Sequence, residues 1–229
     1  MYFKKSKSSI KYYILAIICV LCVYSAQISN LFIPLFDNVY YGNLVNMFVS
    51  LMNAFIWMIE FLIIFFVCKK RNIKLFTSKD LKNKELPLWR LILLFIVAII
   101  PMFIISAFLH FQVKIVYQLG IKVTAIVIAC NACEILSWAM RMVFIAMFIN
   151  FIHLAFETNF KFNKDIFNKF FPWGALFCFL IFGLIDCFFF PVDLNWFYLL
   201  ASFWYGVIYL VGNRKFATTY VLSYLIWLL

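Results

Sequence analysis

Charged residues are scarce in this chain, and their scarcity excludes a soluble fold. Only 13% of the 229 residues are Asp, Glu, Lys or Arg, whereas 67% are hydrophobic and 22% are aromatic. A soluble domain keeps about a quarter of its residues charged, because charged side chains cover the surface that faces water. We therefore expect residues 1–229 to form a single integral membrane domain that lies in a lipid bilayer.

Histidine and glycine are also rare, with two and six residues. Two histidines without an accompanying carboxylate pattern make a weak metal site, so we expect no metal and no cofactor. Membrane transporters usually build ligand sites from interrupted helices, and the few glycines argue against such interruptions. The seven cysteines include two pairs that stand one helical turn apart, Cys19 with Cys22 and Cys130 with Cys133. We interpret both pairs as small packing residues.

Alternation of polar and apolar residues is missing from the long hydrophobic runs, which excludes a membrane β-barrel. Runs that are apolar on every face and about 20 residues long predict transmembrane helices. The fold class expected is therefore all-α, a polytopic transmembrane helix bundle of about seven spans. The fourth run is long enough for one span or for a surface or re-entrant helix followed by a span. The runs are Tyr12–Ile33, Leu44–Val67, Leu88–Leu109, Ile121–Phe156, Pro172–Phe190, Trp196–Val211 and Ala217–Leu229.

The basic residues are distributed unequally across this threading. Seventeen of the 20 Lys and Arg residues fall on one side, which by the positive-inside rule is cytoplasmic. The N-terminus is then cytoplasmic and the C-terminus extracytoplasmic. Basic residues beside helix ends match anionic headgroups, so we expect no nucleic-acid partner despite the net charge of +11. The seventeen are Lys4, Lys5, Lys7, Lys11, Lys69, Lys70, Arg71, Lys74, Lys79, Lys82, Lys84, Arg90, Lys161, Lys164, Lys169, Arg214 and Lys215.

Polar side chains inside the runs are the candidate site, because each is costly in hydrocarbon unless it is paired or faces a cavity. The expected cluster is Glu60, Asn131, Glu134, Arg141 and Asp186. Glu134 and Arg141 share one helical stripe but stand about 10 Å apart along the axis, too far for a direct pair. Asp186 enters from a neighbouring span at a similar depth. The cluster is either an ion network that orients helices or a polar cavity for water, a peptide or a small ligand.

The second half of the chain carries a motif pattern. Residues Cys133–Trp138 read C-E-I-L-S-W, Phe182–Asp186 read F-G-L-I-D, and a Pro-bearing turn, a glycine-containing helix and a last helix follow. Over roughly residues 120–229 this pattern resembles the CPBP family, also called Abi, of CAAX-prenyl-protease-like and bacteriocin-processing membrane proteins. That family carries E-E-x-x-x-R, F-x-x-x-H and, in the last helix, H-x-x-x-N/D.

The resemblance implies catalytic positions at which this chain departs from the family. Family enzymes are thought to use Glu to activate water and His to position it and stabilise the oxyanion. Glu134 matches the second Glu, and Asp186 stands at the His of the second motif. If the protein were active, Glu134 and Asp186 would form a carboxylate dyad that shares one proton. The remaining motif positions hold Cys133, Trp138, Ser223 and Trp227 in place of Glu, Arg, His and Asn or Asp.

The expected function is therefore a non-catalytic, CPBP-like scaffold, regulator or subunit that binds another integral membrane or cell-envelope protein. The abundant aromatic side chains supply large, rigid contact surfaces for such a partner. Two alternatives remain open: an active glutamate-dependent intramembrane protease with a rearranged site, and a small-ligand-binding subunit of a transporter. The wealth of Phe, Ile, Lys and Asn indicates an AT-rich genome, as in low-GC bacteria.

Overall fold

The computed structural model describes residues 7–26, 42–73, 75, 87–108, 125–159, 171–189, 195–212 and 214–228. These ranges form helices and short turns and contain no strand, so the predicted all-α fold is confirmed for them. Many of the basic residues expected before the first helix or between helices lie outside the described residues, as do Asp37, His110 and Asp193. These basic residues are Lys4, Lys5, Lys74, Lys79, Lys82, Lys84, Lys114, Lys122, Lys161, Lys164 and Lys169.

Seven helices follow one another along the described chain, close to the seven expected runs. The fifth, α5, is irregular: Trp173–Cys178 and Leu184–Phe189 are α-helical, and a π-helical turn, Phe179–Gly183, joins them. The run Pro172–Phe190 was expected to form one regular helix, and the structure instead has a helix with a π-helical turn at its centre. The other helices are α1 (Lys7–Ser25), α2 (Gly42–Lys70), α3 (Leu88–Phe108), α4 (Ala125–Asn159), α6 (Asn195–Val211) and α7 (Phe216–Leu228).

Helix α4 is the axis of the fold. Its 35 residues form one continuous α-helix about 52 Å long, so residues 125–156 of the fourth run are a single element. Helices α1 and α2 pack along it, α5 packs between α4 and α6, and α3 packs on α6 and α7. From Arg141 to Phe156 almost every side chain of α4 is buried. The core is thus built around the second half of α4.

Small residues bring the backbones of α5 and α6 into contact. A Cβ atom added to Gly206 of α6 would lie 2.1 Å from the Cα of Ala175 in α5. The two helices can cross this closely only because Gly206 has no side chain. Close approach at small residues is typical of helix pairs in membranes, where packing replaces the hydrophobic effect as the driving force.

A Schellman motif ends α2 and ties it to the core. Asn72 adopts a left-handed conformation with φ of 51°, and the Ile73 N–H donates to the Cys68 carbonyl at 2.9 Å. The chain then turns so that the Leu75 carbonyl accepts a hydrogen bond from Asn150 Nδ2 at 2.8 Å. The Asn150 Oδ1 in turn accepts from the Tyr209 hydroxyl at 2.7 Å. One buried amide therefore links the end of α2 to α4 and α6.

The helix ends that carry basic residues meet at one end of the bundle. Tyr13 of α1 packs edge-on against Phe156 of α4, whose ring stacks on Trp173 of α5 at 4.3 Å. The last turn of α2 lies beside the first half of α1, and Trp89 of α3 and Val211 of α6 line the same groove. Every described Lys and Arg residue except Arg141 lies within about a turn of this end of its helix. Adjacent helices therefore alternate in direction.

Within the described ranges, two helices are long and apolar enough to cross a membrane, by length and composition: Leu44–Lys70 in α2 and Ala125–Phe156 in α4. The remaining described helices include shorter apolar segments of 10–17 residues. Large apolar side chains are exposed along the outer faces of α2 and α3, for example Phe48, Phe55 and Phe103. Exposed apolar bands of this extent indicate a surface that is covered by something other than water.

Candidate functional site

A buried ion pair joins α4 to α5 at the centre of the bundle. Arg141 Nη2 lies 2.6 Å from Asp186 Oδ1, and Arg141 is only 1% exposed. Charges at this depth are retained only when they are paired, because an isolated charge in an apolar medium is strongly unfavourable. Arg141 is thus paired with Asp186 of α5 and not with Glu134, which lies two turns away on α4.

Aromatic side chains enclose the ion pair. The Tyr24 hydroxyl of α1 donates to Asp186 Oδ1 at 3.2 Å, so one carboxylate oxygen receives two donors. The Arg141 guanidinium carbon lies 4.4 Å from the ring centre of Trp138 and 5.9 Å from that of Tyr24. Cation–π contacts of this kind add to the stabilisation of a desolvated guanidinium. The pair is therefore fixed by α1, α4 and α5 together.

Trp138 continues into an aromatic column on α7. Its indole stacks on that of Trp227 with ring centres 4.6 Å apart. Trp227 stacks on Tyr224, and Tyr224 stacks on Tyr220, at 6.0 and 6.2 Å and with nearly parallel rings. The Tyr224 hydroxyl donates to the Ile135 carbonyl of α4 at 2.9 Å. This column fixes α7 against α4 directly beside the ion pair.

The π-helical turn sets the direction in which Asp186 faces. A π turn holds one more residue than an α turn, so it rotates the residues after it by about 100° relative to a regular helix. Gly183 ends this turn where α5 crosses α6, and a Cβ added to it would lie 2.5 Å from Ser202 Oγ. The irregularity and the close crossing together aim Asp186, three residues later, at Arg141.

Glu60 belongs to a second polar cluster, between α1 and α2. Its Oε1 accepts a hydrogen bond from Ser25 Oγ at 2.7 Å. Trp57, one turn earlier on α2, donates its indole N–H to the Cys22 carbonyl at 2.8 Å. Tyr24 and Ser25 are adjacent in the last turn of α1. Ser25 contacts α2, and Tyr24 contacts the ion pair.

The other predicted positions spread along α4 and α7. Asn131, Cys133 and Glu134 lie on the first half of α4, and all three are half-buried. Ser223 and Trp227 are buried on α7. The structure therefore brings together Arg141 with Asp186 and Trp138 with Trp227, whereas Glu60 lies in the second cluster.

Three participants were not among the candidates predicted from sequence: Tyr24, Ser25 and Trp57. Each has a polar group on a side chain that is otherwise counted among apolar or small residues, so hydropathy does not single it out. Their position facing Glu60 and Asp186 depends on contacts between helices that are far apart in the sequence. The only sequence signal is that all three lie well inside apolar runs.

The arrangement is suited to holding helices together. General-base chemistry needs a carboxylate that is free to take a proton, whereas the Oδ1 atom of Asp186 is engaged by Arg141 and Tyr24.

Within the described residues no group of three or more His, Cys, Asp or Glu side chains could hold a metal ion. No protein-family model matches the chain, and comparisons with curated proteins and with solved structures give no match either.

Proposed function

We propose that this protein is a non-catalytic multi-pass membrane protein that binds another integral membrane protein through the outer face of α2. Its scaffold would be similar to that of the CPBP family, without the family's chemistry. The observation that carries the proposal is the enclosed ion pair between Arg141 and Asp186. This ion pair occupies the centre of the bundle, where the catalytic site of an intramembrane protease would otherwise lie.

The aromatic stack supports the non-catalytic part of the proposal. Trp138 and Trp227 stand where the resemblance places an Arg and an Asn or Asp, and their rings lie in face-to-face contact. A pair of stacked indoles offers neither a proton acceptor nor a cavity for a scissile peptide bond. The pairing of Asp186 with Arg141 also argues against a proton-sharing dyad with Glu134.

Three features support the membrane part. Two helices have the length and composition of membrane spans, and large apolar side chains are exposed on α2 and α3. The helix ends with basic residues lie at one end of the bundle, as the positive-inside rule requires of a multi-pass protein. We propose that this end is cytoplasmic, with the N-terminus inside and the C-terminus outside.

Helix α2 is proposed as the binding surface because the described part of the chain covers so little of it. Only 22% of its most apolar 18-residue window is buried, compared with 67% for α4. Phe48 and Phe55 project from its outer face with exposed fractions of 62% and 53%. Rigid aromatic side chains lose little conformational entropy on binding, which makes them frequent anchors in protein interfaces.

The experiment that tests partner binding is affinity purification in a mild detergent followed by mass spectrometry. We expect a membrane protein in stoichiometric amount with the native chain, and at least tenfold less with the variant Phe48→Ala/Phe55→Ala. The matched control is Phe95→Ala/Phe103→Ala on the exposed face of α3, which should retain the partner. Equal retention by both variants would contradict the assignment of α2.

Catalysis is tested on the same preparation. We expect the purified protein to leave the retained partner uncleaved. Cleavage that is abolished by Glu134→Gln would overturn the non-catalytic proposal and favour an intramembrane protease. A stoichiometric small molecule in place of a protein would instead favour a ligand-binding transport subunit.

Topology is tested with reporter fusions. A fluorescent protein that folds only in the cytoplasm should be bright when fused after Lys70 and dark when fused to the C-terminus. Alkaline phosphatase, which is active only outside the cytoplasm, should give the opposite result. The proposed topology places the two fusion positions on opposite sides of the membrane. The same reporter result at both positions would contradict it.

A further inference from the structure

An apolar groove lies between α3 and α6, away from the ion pair and from the outer face of α2. Its volume is about 390 Å³, which falls within the usual range of small-molecule pockets, about 300–1,000 Å³. Val97 and Ala98 of α3 form one wall, and Val207 and Ile208 of α6 form the other. Among the described residues that line it, only Trp89 and Trp204 carry a polar side-chain group, the indole N–H.

The lining determines the chemistry of the occupant. A polar ligand would lose its hydrogen bonds to water in this groove and regain almost none, which is unfavourable. A hydrocarbon chain has no hydrogen bonds to lose on entering it, and the groove is open along one side. The occupant that fits is therefore an apolar chain.

One end of the groove is basic. The groove ends at Val211, and the turn that follows carries Arg214 and Lys215 before α7 begins at Phe216. This turn lies against the groove, because a Cβ added to Gly212 would be 3.7 Å from Cδ2 of Leu94, a lining residue. Lys215 is half-exposed there.

The same end is formed on the other side by the start of α3. Helix α3 begins at Leu88, and a helix N-terminus carries a partial positive charge. Trp89 is 60% exposed at this level, a position that tryptophan favours at membrane–water interfaces. An anion at this end of the groove would meet both Lys215 and the first turn of α3.

We propose that the groove binds one acyl chain of an anionic phospholipid of the cytoplasmic leaflet, with the lipid phosphate beside Lys215. This inference rests on the membrane location and orientation proposed above, and it is independent of the partner on α2. The apolar walls select the chain, and the basic end selects the headgroup. The lipid would fill the space between α3 and α6 and so hold α3 against the bundle.

The test is photolabelling of the full-length protein in vesicles. Two probes carry the same diazirine-labelled acyl chain, one on phosphatidylglycerol and one on phosphatidylcholine, and mass spectrometry locates the label. We expect label on the groove-lining segments of α3 and α6, about fivefold more from phosphatidylglycerol. Fivefold corresponds to about 1 kcal/mol, the usual contribution of one basic side chain near anionic headgroups. Equal labelling by the two probes would overturn the proposal.

Two variants with matched controls separate the chain from the headgroup. Val207→Trp fills the groove and should remove the label, whereas Val221→Trp, at a valine of α7 that is 50% exposed, should keep it. Lys215→Gln should abolish the preference for phosphatidylglycerol, whereas Lys11→Gln on α1 should retain it. Label that persists in Val207→Trp would contradict the groove as the site.

The labelled positions also distinguish this proposal from the membrane location on which it rests. If the groove binds no lipid but the protein does lie in the bilayer, the outer face of α2 is still labelled by both probes. If the membrane location is wrong, α2 remains unlabelled as well. Each variant is first checked for a monodisperse elution profile, so that loss of label reports on the groove and not on misfolding.

Discussion

The two long apolar helices, α2 and α4, are alike in length and hydropathy but differ in what covers them. Two thirds of the most apolar window of α4 is buried by the chain itself, against about a fifth for α2. Helix α4 contributes Arg141 and Asn150 to buried polar contacts with three other elements. Helix α2 contributes Trp57 and Glu60 on one face only. Two long helices of comparable hydropathy thus form an internal axis in one case and an outer wall in the other.

Polar residues, more than hydropathy, explain this difference. In the membrane location proposed above, an apolar side chain is as stable against lipid as against another helix, so hydrophobicity alone cannot place a helix inside. A buried guanidinium or amide must find a partner on another helix, which draws its own helix to the centre. Arg141 lies near the middle of α4, and burial becomes nearly continuous from that residue onwards.

Breaking the ion pair should produce one of the two largest effects. Arg141→Met leaves the Asp186 carboxylate buried with only the Tyr24 hydroxyl as a partner, and we expect the free energy of unfolding to fall by about 3–5 kcal/mol. Denaturant unfolding in detergent micelles, followed by tryptophan fluorescence, measures this loss. The double variant Arg141→Met/Asp186→Leu removes both charges and should recover most of the stability. A double variant as unstable as the single one would mean that unpaired charge is not the cause.

A smaller loss is expected at Asn150, another buried polar residue of α4. Asn150→Leu leaves the Leu75 carbonyl and the Tyr209 hydroxyl without their partner, at a cost of about 2–3 kcal/mol. Tyr209→Phe removes only one of the two hydrogen bonds and should cost about 1 kcal/mol. Unfolding curves for both variants measure the difference. If Tyr209→Phe were the more damaging change, the amide could not be the link between α2, α4 and α6.

Much of the helical layout follows from hydropathy. The run Leu44–Val67 predicted α2, which extends to Gly42–Lys70 because the helix continues through Lys69 and Lys70 until Asn72 turns the chain. Length and apolar composition locate such a helix well. Its ends depend on capping contacts, which a count of apolar residues does not contain.

The candidate site was predictable only in part, for a physical reason. Arg141 and Asp186 stand out in the sequence because charges are rare in apolar runs. Their direct contact depends on the π-helical turn in α5, and that turn accompanies the close crossing of Gly183 with Ser202 of α6. Such contacts join residues far apart in the chain, so no local pattern encodes them.

The contribution of the aromatic stack to stability is tested at Trp138, which lies just before the buried second half of α4. Trp138→Leu removes both the stack on Trp227 and the cation–π contact with Arg141, so we expect a loss of about 1–2 kcal/mol. The matched control is Trp196→Leu, at an indole that is 72% exposed on α6, which should change stability by less than about 0.5 kcal/mol. Equal effects would show that the indole pair contributes no more than exposed surface does.

The smallest effect should come from the outer face of α2, and the same substitution in α4 sharpens the comparison. Phe55 is 53% exposed, and Phe55→Ala should change the free energy of unfolding by less than about 0.5 kcal/mol. Phe148 of α4 is buried and packs edge-on against Phe182, so Phe148→Ala should cost about 3–5 kcal/mol. Both losses are measured on the purified chain without its partner. Because Phe55 contributes so little to the fold, any loss of partner on its removal reports on the interface. A large loss of stability at Phe55 would instead mean that the chain itself covers this face, and the proposed partner would have no surface there to bind.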